Sequence, residues 1–160
     1  MAYLLGDPTA ERAGRLSLNP LAHLDPVGAL MLLVFRFGWA KPVPIDTRYF
    51  KKPRRDLFLV SIAGVTGNIL TAFAIGLLIR LFPSFFLGNS ALRLFMFLMV
   101  AINVGLAVFN LIPIPPLDGS KILYVLLPPQ WLEKYFWLVQ YGFIILMVLL
   151  ALVVIQAFMN

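Results

Sequence analysis

The run from Asn110 to Lys121, Asn-Leu-Ile-Pro-Ile-Pro-Pro-Leu-Asp-Gly-Ser-Lys, brings an aspartate to the end of a long apolar stretch. An acid so close to hydrocarbon is costly, and an ionisable side chain there reads by default as a functional residue with a partner to be found. Asp118 is therefore the first candidate for chemistry, as a ligand or a catalytic group. The same residues also spell a turn, because proline presets φ, aspartate bonds its own backbone and glycine accepts φ > 0. On spacing alone both readings stand. His23 and Asp25 form a second pair of chemically useful types. They lack the i,i+4 spacing that sets two ligands on one helical face, and Pro26 follows, so a capping or interfacial role is the simpler reading of His23. Asn68 is a polar residue inside an apolar run, and hydrogen bonding between helices is its simplest use.

The residue types that are scarce narrow the chemistry further. The chain has no cysteine, which excludes disulfides, thiolate nucleophiles and cysteine-ligated metals. It has one histidine, so it cannot by itself supply a site of two or three imidazoles, nor a nucleophile triad with histidines to spare.

The elements that must position these residues belong in a bilayer. Hydrophobic residues make up 61% of the 160, charged residues 12%, and the mean hydropathy is +0.92. A soluble domain has only about 45–50% apolar residues, so this is an integral membrane protein. Residues 1–5 have neither the basic n-region nor the long apolar h-region of a signal peptide. Residues 12–19, Arg-Ala-Gly-Arg-Leu-Ser-Leu-Asn, alternate partly with period two before Pro20, which predicts a short strand or a solvated loop. The apolar run at 27–35 is short for a span of ~20 residues, so it predicts a partial or re-entrant segment.

Arg36, Lys41, Arg48, Lys51, Lys52, Arg54 and Arg55 face only Asp46 and Asp56 in the next stretch, which concentrates the net charge of +6. A single short loop between apolar segments, with no recognised module, is a poor nucleic-acid site. By the positive-inside rule the basic loop 41–55 belongs in the cytoplasm. Pro42, Pro44 and Pro53 deny it a continuous helix.

Three spans are expected, at 57–82, 91–112 and 136–159, with a short loop at 83–90 and one or two helical turns at 120–127. Gly64, Gly67, Asn68, Thr71 and Gly76 predict a packed face on the first span. Counting crossings from the basic loop puts Asp118 near the cytoplasmic face. Trp131, Tyr135 and Trp137, flanked by Glu133 and Lys134, form an interfacial belt. The expected fold is an all-α integral membrane protein in one domain over 1–160, with about three full transmembrane helices, a short re-entrant or partial segment, and a small N-terminal strand or loop.

These residues together resemble the site-2 protease family of intramembrane zinc metalloproteases, in its short prokaryotic form. The likeness runs through Gly6-Asp7-Pro8-Thr9-Ala10, Gly14-Arg15-Leu16-Ser17-Leu18-Asn19-Pro20, His23-Leu24-Asp25-Pro26-Val27-Gly28 and Gly38-Trp39-Ala40-Lys41-Pro42-Val43-Pro44. It continues through Ala63-Gly64 with Asn68 and the run from Asn110 to Gly119. Each block is weak alone, and their order and spacing make the set specific.

The resemblance implies one zinc ion held by a His-Glu-x-x-His pair and by Asp118, with the motif's glutamate as general base. It implies hydrolysis of peptide bonds in membrane proteins. Asn68 is implied to position the substrate carbonyl, and residues 12–19 to resemble the edge that receives an unwound substrate. The implied partners are membrane-protein or peptide substrates and the lipid bilayer, with a homo-oligomer allowed and no nucleic acid.

Two departures from the family pattern stand out. The His-Glu-x-x-His motif precedes the Ala-Tyr-Leu-Leu-Gly-Asp-Pro-Thr segment in the family, so here it would end near Met1 and is absent, and His23 cannot replace it. Val65 follows Gly64 where the family has proline. The expectation is a protease truncated at its N-terminus, inactive and unable to hold zinc tightly as this chain alone. The alternatives are a non-catalytic relative that binds membrane proteins, and a transporter or channel subunit, for which no inverted repeat is visible.

Overall fold

The computed structural model describes residues 1–35 and 38–159. It divides into two compact units, Met1–Leu57 and Phe58–Asn160.

In the first unit a short helix α1 (Thr9–Arg12) and a ten-residue helix α2 (Pro26–Phe35) stand among turns. At about 1.5 Å per residue α2 reaches ~15 Å, half of a ~30 Å hydrocarbon core. The chain then comes back beside the start of α2: Leu24 and Ala40 form an antiparallel bridge, and the Lys41 amide donates to the His23 carbonyl at 2.9 Å. Glycines make this return tight, because a Cβ on Gly28 would overlap the Trp39 backbone and one on Gly38 would overlap Gly28. The short segment is thus a helix with a returning limb rather than a full crossing. Arg36, counted above with the basic stretch, lies outside the described residues.

Asp7 ties the beginning of this unit to its end. It is fully buried. One carboxylate oxygen accepts from the Thr9 amide at 2.9 Å and from the Thr9 hydroxyl, and the other accepts from the Asp46 amide at 2.9 Å. Burial pushes the Asp7 carboxyl up, but the bonds from Thr9 and Asp46 outweigh it and hold the group below its ordinary 3.8. Nearby, the Arg12 guanidinium bonds the Tyr49 hydroxyl at 3.2 Å and lies over its ring.

The strand alternative for residues 12–19 is not realised. α1 ends at Arg12, Gly14 turns the chain at a φ of +66°, and the rest is a loop in which Leu18 is wholly exposed. Alternation needs a pairing edge to become a strand. Among the described residues the Leu24–Ala40 bridge is isolated and no strand is formed.

Helix α3 (Pro53–Leu81) starts with its proline in the first turn, where a missing N–H costs nothing. A six-residue helix α4 (Pro83–Gly88) replaces the loop expected after it, again with proline at the start. Asn89 then caps α5 (Ser90–Asn110), its side-chain oxygen accepting from the amides of Ala91 at 2.9 Å and Leu92 at 3.1 Å. α6 (Asp118–Leu126) and α7 (Leu132–Met159) complete the chain. Three stretches, Pro53–Leu81, Ser90–Asn110 and Pro129–Val153, are long and apolar enough to cross a membrane. Only 11%, 17% and 11% of their most apolar windows is buried within the protein, which leaves their outer surfaces for lipid. The chain is an all-α membrane protein.

On α3 the buried residues Ser61, Val65 and Ala72 fall on one stripe. Asn68, partly buried, shares that stripe. The packed face predicted from small residues is narrower than expected, since a Cβ at Gly67 or Gly76 meets nothing within 4 Å.

Two outcomes follow. Gly28→Ala is expected to lower thermal stability in detergent by ~1–3 kcal/mol through overpacking, whereas Gly76→Ala, in open space, leaves it unchanged or raises it by ~0.5–1 kcal/mol. For Asp7 the lowered carboxyl means that its contribution is fully present above 3.8 and is lost as pH falls through the folded-state value below that. The stability difference between the parent chain and Asp7→Asn, measured by denaturant unfolding, is therefore expected to be constant from pH 7 to about 5 and to shrink below about 4.

Candidate functional site

The chain leaving α5 must turn sharply to bring Asp118 to its place. Leu111 closes the helix by donating to the carbonyl of Ala107 at 3.2 Å, and the Pro115–Pro116 bond is cis. Pro115 and Leu117 are buried. Gly119 fits because it has no side chain: a Cβ there would overlap the carbonyl oxygens of both Leu111 and Ile112. Gly142 on α7 also lies close to Pro115, whose Cδ would be 2.8 Å from an added Cβ. The buried Ser120 hydroxyl donates to the Leu117 carbonyl at 2.8 Å, so the turn leaves that polar group satisfied.

Asp118 opens α6, where the positive end of the helix dipole favours a carboxylate. It is helical rather than a turn residue, and the helix begins two residues before the expected 120. Its Oδ1 accepts from the Lys121 ammonium at 2.8 Å, and the side chain is 28% exposed. Its Oδ2 lies 3.5 Å from the place a Cβ on Gly64 would take. Gly64 sits eleven residues along α3 from Pro53, about 16 Å at ~1.5 Å per residue. Asn68 follows Gly64 by four residues and so points from the same side of α3 one turn later. Its carboxamide takes no hydrogen bond from a described residue. Gly64 thus lies beside the Asp118 carboxylate and one turn before Asn68 on α3.

His23 is occupied with the backbone. Its Nε2 lies 2.8 Å from the Ser17 carbonyl oxygen, and it closes the 3-10 turn Pro20–Ala22. Asp25 accepts from the Gly28 amide at 2.9 Å and so starts α2. His23 thus sits at a cap, one of the two roles read for it, and the capping by Asp25 was not foreseen. Among the described residues no three His, Cys, Asp or Glu side chains gather into a group that could hold a metal. Lys121 is the site residue that the sequence reading missed. Its i,i+3 spacing from Asp118 on a helix is the signal that points to it.

A family model described as Peptidase family M50 matches residues 86–152, which include Asn110, Asp118 and Lys121. "Putative zinc metalloprotease YwhC" of Bacillus subtilis is 43% identical over 154 residues, covering 93% of this chain and 70% of that protein. The chain belongs to peptidase family M50, the site-2 protease family. "Putative zinc metalloprotease Rip2" of Mycolicibacterium smegmatis is 32% identical over 157 residues, covering 93% of this chain but 58% of that protein. No solved structure matches.

A catalytic zinc site needs about three protein ligands and an open position. Asp118 fits one of them: a hard oxygen donor, partly exposed and held at a helix start. With a single histidine bonded to Ser17 and no cysteine, the described residues do not complete the set.

Gly119→Ala is expected to push α6 away from Leu111 and Ile112 and to cost ~1–3 kcal/mol. In a cysteine cross-linking assay the variant should also lose a 64–118 contact that the parent scaffold permits.

Proposed function

We propose that the chain forms the Asp118-bearing part of a membrane-embedded zinc metalloprotease that hydrolyses peptide bonds of membrane proteins. The observation that carries this is the Asp118 carboxylate, partly exposed at the start of α6 and facing Gly64 on a membrane-length helix, in a chain of family M50. Asp118 serves as one metal ligand. The remaining ligands and the general base, a His-Glu-x-x-His pair, come from outside these residues. When bound, zinc would lower the pKa of a coordinated water and polarise the scissile carbonyl. Asn68, whose carboxamide bonds no other described residue and which lies on the side of α3 that carries Gly64, orients the substrate carbonyl by donating to it. The proline-broken backbone after Asn110 is irregular structure of the kind tolerated at membrane depth only against protein or water. The basic loop 41–55 lies in the cytoplasm of the cell that makes the protein, and Asp118 lies on the same side.

Metal analysis of the protein purified from its own cell, parent and Asp118→Asn, tests this reading. About one zinc per parent molecule is expected, with Asp118→Asn losing at least the ~10–100-fold in affinity that removal of even an outer-shell partner costs. The intact mass of the same preparation, set against 18.0 kDa, should reveal a heavier species containing His-Glu-x-x-His. Unchanged zinc in Asp118→Asn would sink the ligand assignment. A zinc-free parent of 18.0 kDa would replace the enzyme by a relative that binds membrane proteins without cutting them.

A further inference from the structure

The segment that opens α3 holds positive charge that the rest of its unit leaves uncompensated. Lys51, Lys52 and Arg55 line a cleft of about 320 Å³, walled by Leu4, Leu5 and Gly6 and floored by Asp56. All three cations are exposed, and none forms an ion pair with a described residue. Asp56 does not serve as their partner. It is 5% exposed, and its carboxylate accepts from the Lys52 amide at 2.9 Å, which caps the start of the helix. The cleft thus gathers three cationic side chains at the positive end of a helix dipole, against one carboxylate turned to the backbone.

We propose that this cleft binds the phosphate headgroup of an anionic phospholipid in the leaflet where α3 begins. Three features point to a lipid rather than a free anion. First, the cleft adjoins Pro53, the first residue of a 29-residue span, so it lies where hydrocarbon gives way to headgroups. Second, Leu4, 81% exposed, and Leu5 supply an apolar wall that an inorganic anion has no use for, but that suits the glycerol and first methylenes of a lipid. Third, its size lies at the small end of the ~300–1,000 Å³ of ligand sites, which matches a headgroup. The cations supply charge-assisted hydrogen bonds to the phosphate oxygens.

Arg54 provides the control. It is exposed and lies between the same neighbours in sequence, but it does not line the cleft. Native mass spectrometry of the detergent-solubilised chain, titrated separately with phosphatidylglycerol, phosphatidylcholine and inorganic phosphate, reads the site directly. One phosphatidylglycerol should be retained in clear preference to phosphatidylcholine. Lys52→Gln and Arg55→Gln are each expected to weaken it about fivefold, and the triple change with Lys51→Gln about 100-fold. Arg54→Gln should change it by less than about twofold. A loss in Arg54→Gln equal to that in Arg55→Gln would mean diffuse attraction to charge and would overturn the site. Equal retention of phosphatidylcholine would overturn it too. Inorganic phosphate bound as tightly as the lipid would overturn the lipid as its occupant.

Discussion

No side chain fits at position 119, and the placement of the acid next to it follows from that. The backbone of the first turn of α6 runs directly beneath the carbonyls of Leu111 and Ile112, closer than any Cβ would allow. This contact folds the chain back on itself as soon as α5 ends. Pro115, pressed against Gly142 of α7, holds the other side of the turn. With both limbs clamped, Asp118 has little freedom of direction, and its Oδ2 comes to rest beside Gly64. The carboxylate is thus aimed by backbone contact, with side-chain bonds in a secondary role. A residue that must meet a ligand at fixed geometry gains from such support, because the position survives the exchange of one partner for another.

Much of this was legible in the sequence because the signals are local. Membrane spans are written in runs of apolar residues, and all three were found, the first two close to their ends and the third, expected at 136–159, shifted toward the C-terminus of the observed Pro129–Val153. Asp118 and Asn68 drew notice because polar groups in such runs are costly. The short α2 was legible from the length of its apolar run, and the capping place of His23 was one of two roles read for it beside Pro26. What escaped depends on neighbours distant in sequence. Residues 12–19 alternate like a strand, but no edge is present to pair with them. Gly67 and Gly76 look like close-packing residues, yet the buried stripe of α3 runs through Ser61, Val65 and Ala72 instead. The helix α4 was hidden because Pro83 reads as a loop residue as readily as a first-turn residue. The roles of Gly119 and Gly142 could not be read at all, since a glycine does not announce which carbonyl will lie against it.

The Asp118–Lys121 pair bears on what the carboxylate is free to do. An isolated charge in the hydrocarbon region would be several kcal/mol unfavourable by most measures. Asp118 lies between two spans rather than within one, and Lys121 is its counter-charge there. The two side chains remain 28% and 31% exposed, however, and they are i,i+3 neighbours on one helix. Such a pair stabilises a helix by only ~0.2–0.5 kcal/mol, and exposed pairs in general contribute ~0–1 kcal/mol. A tether this weak holds the carboxylate in place without committing it. A partner of higher charge or better geometry can therefore take Asp118 from Lys121 at small cost, and the backbone contacts of Gly119 would hold the carboxylate in position during the exchange. A deeply buried, fully bonded aspartate such as Asp7 lacks this property. Its oxygens already hold Thr9 and Asp46, and removing them would strand buried donors. The two aspartates therefore divide the work, Asp7 fastening its unit and Asp118 standing available.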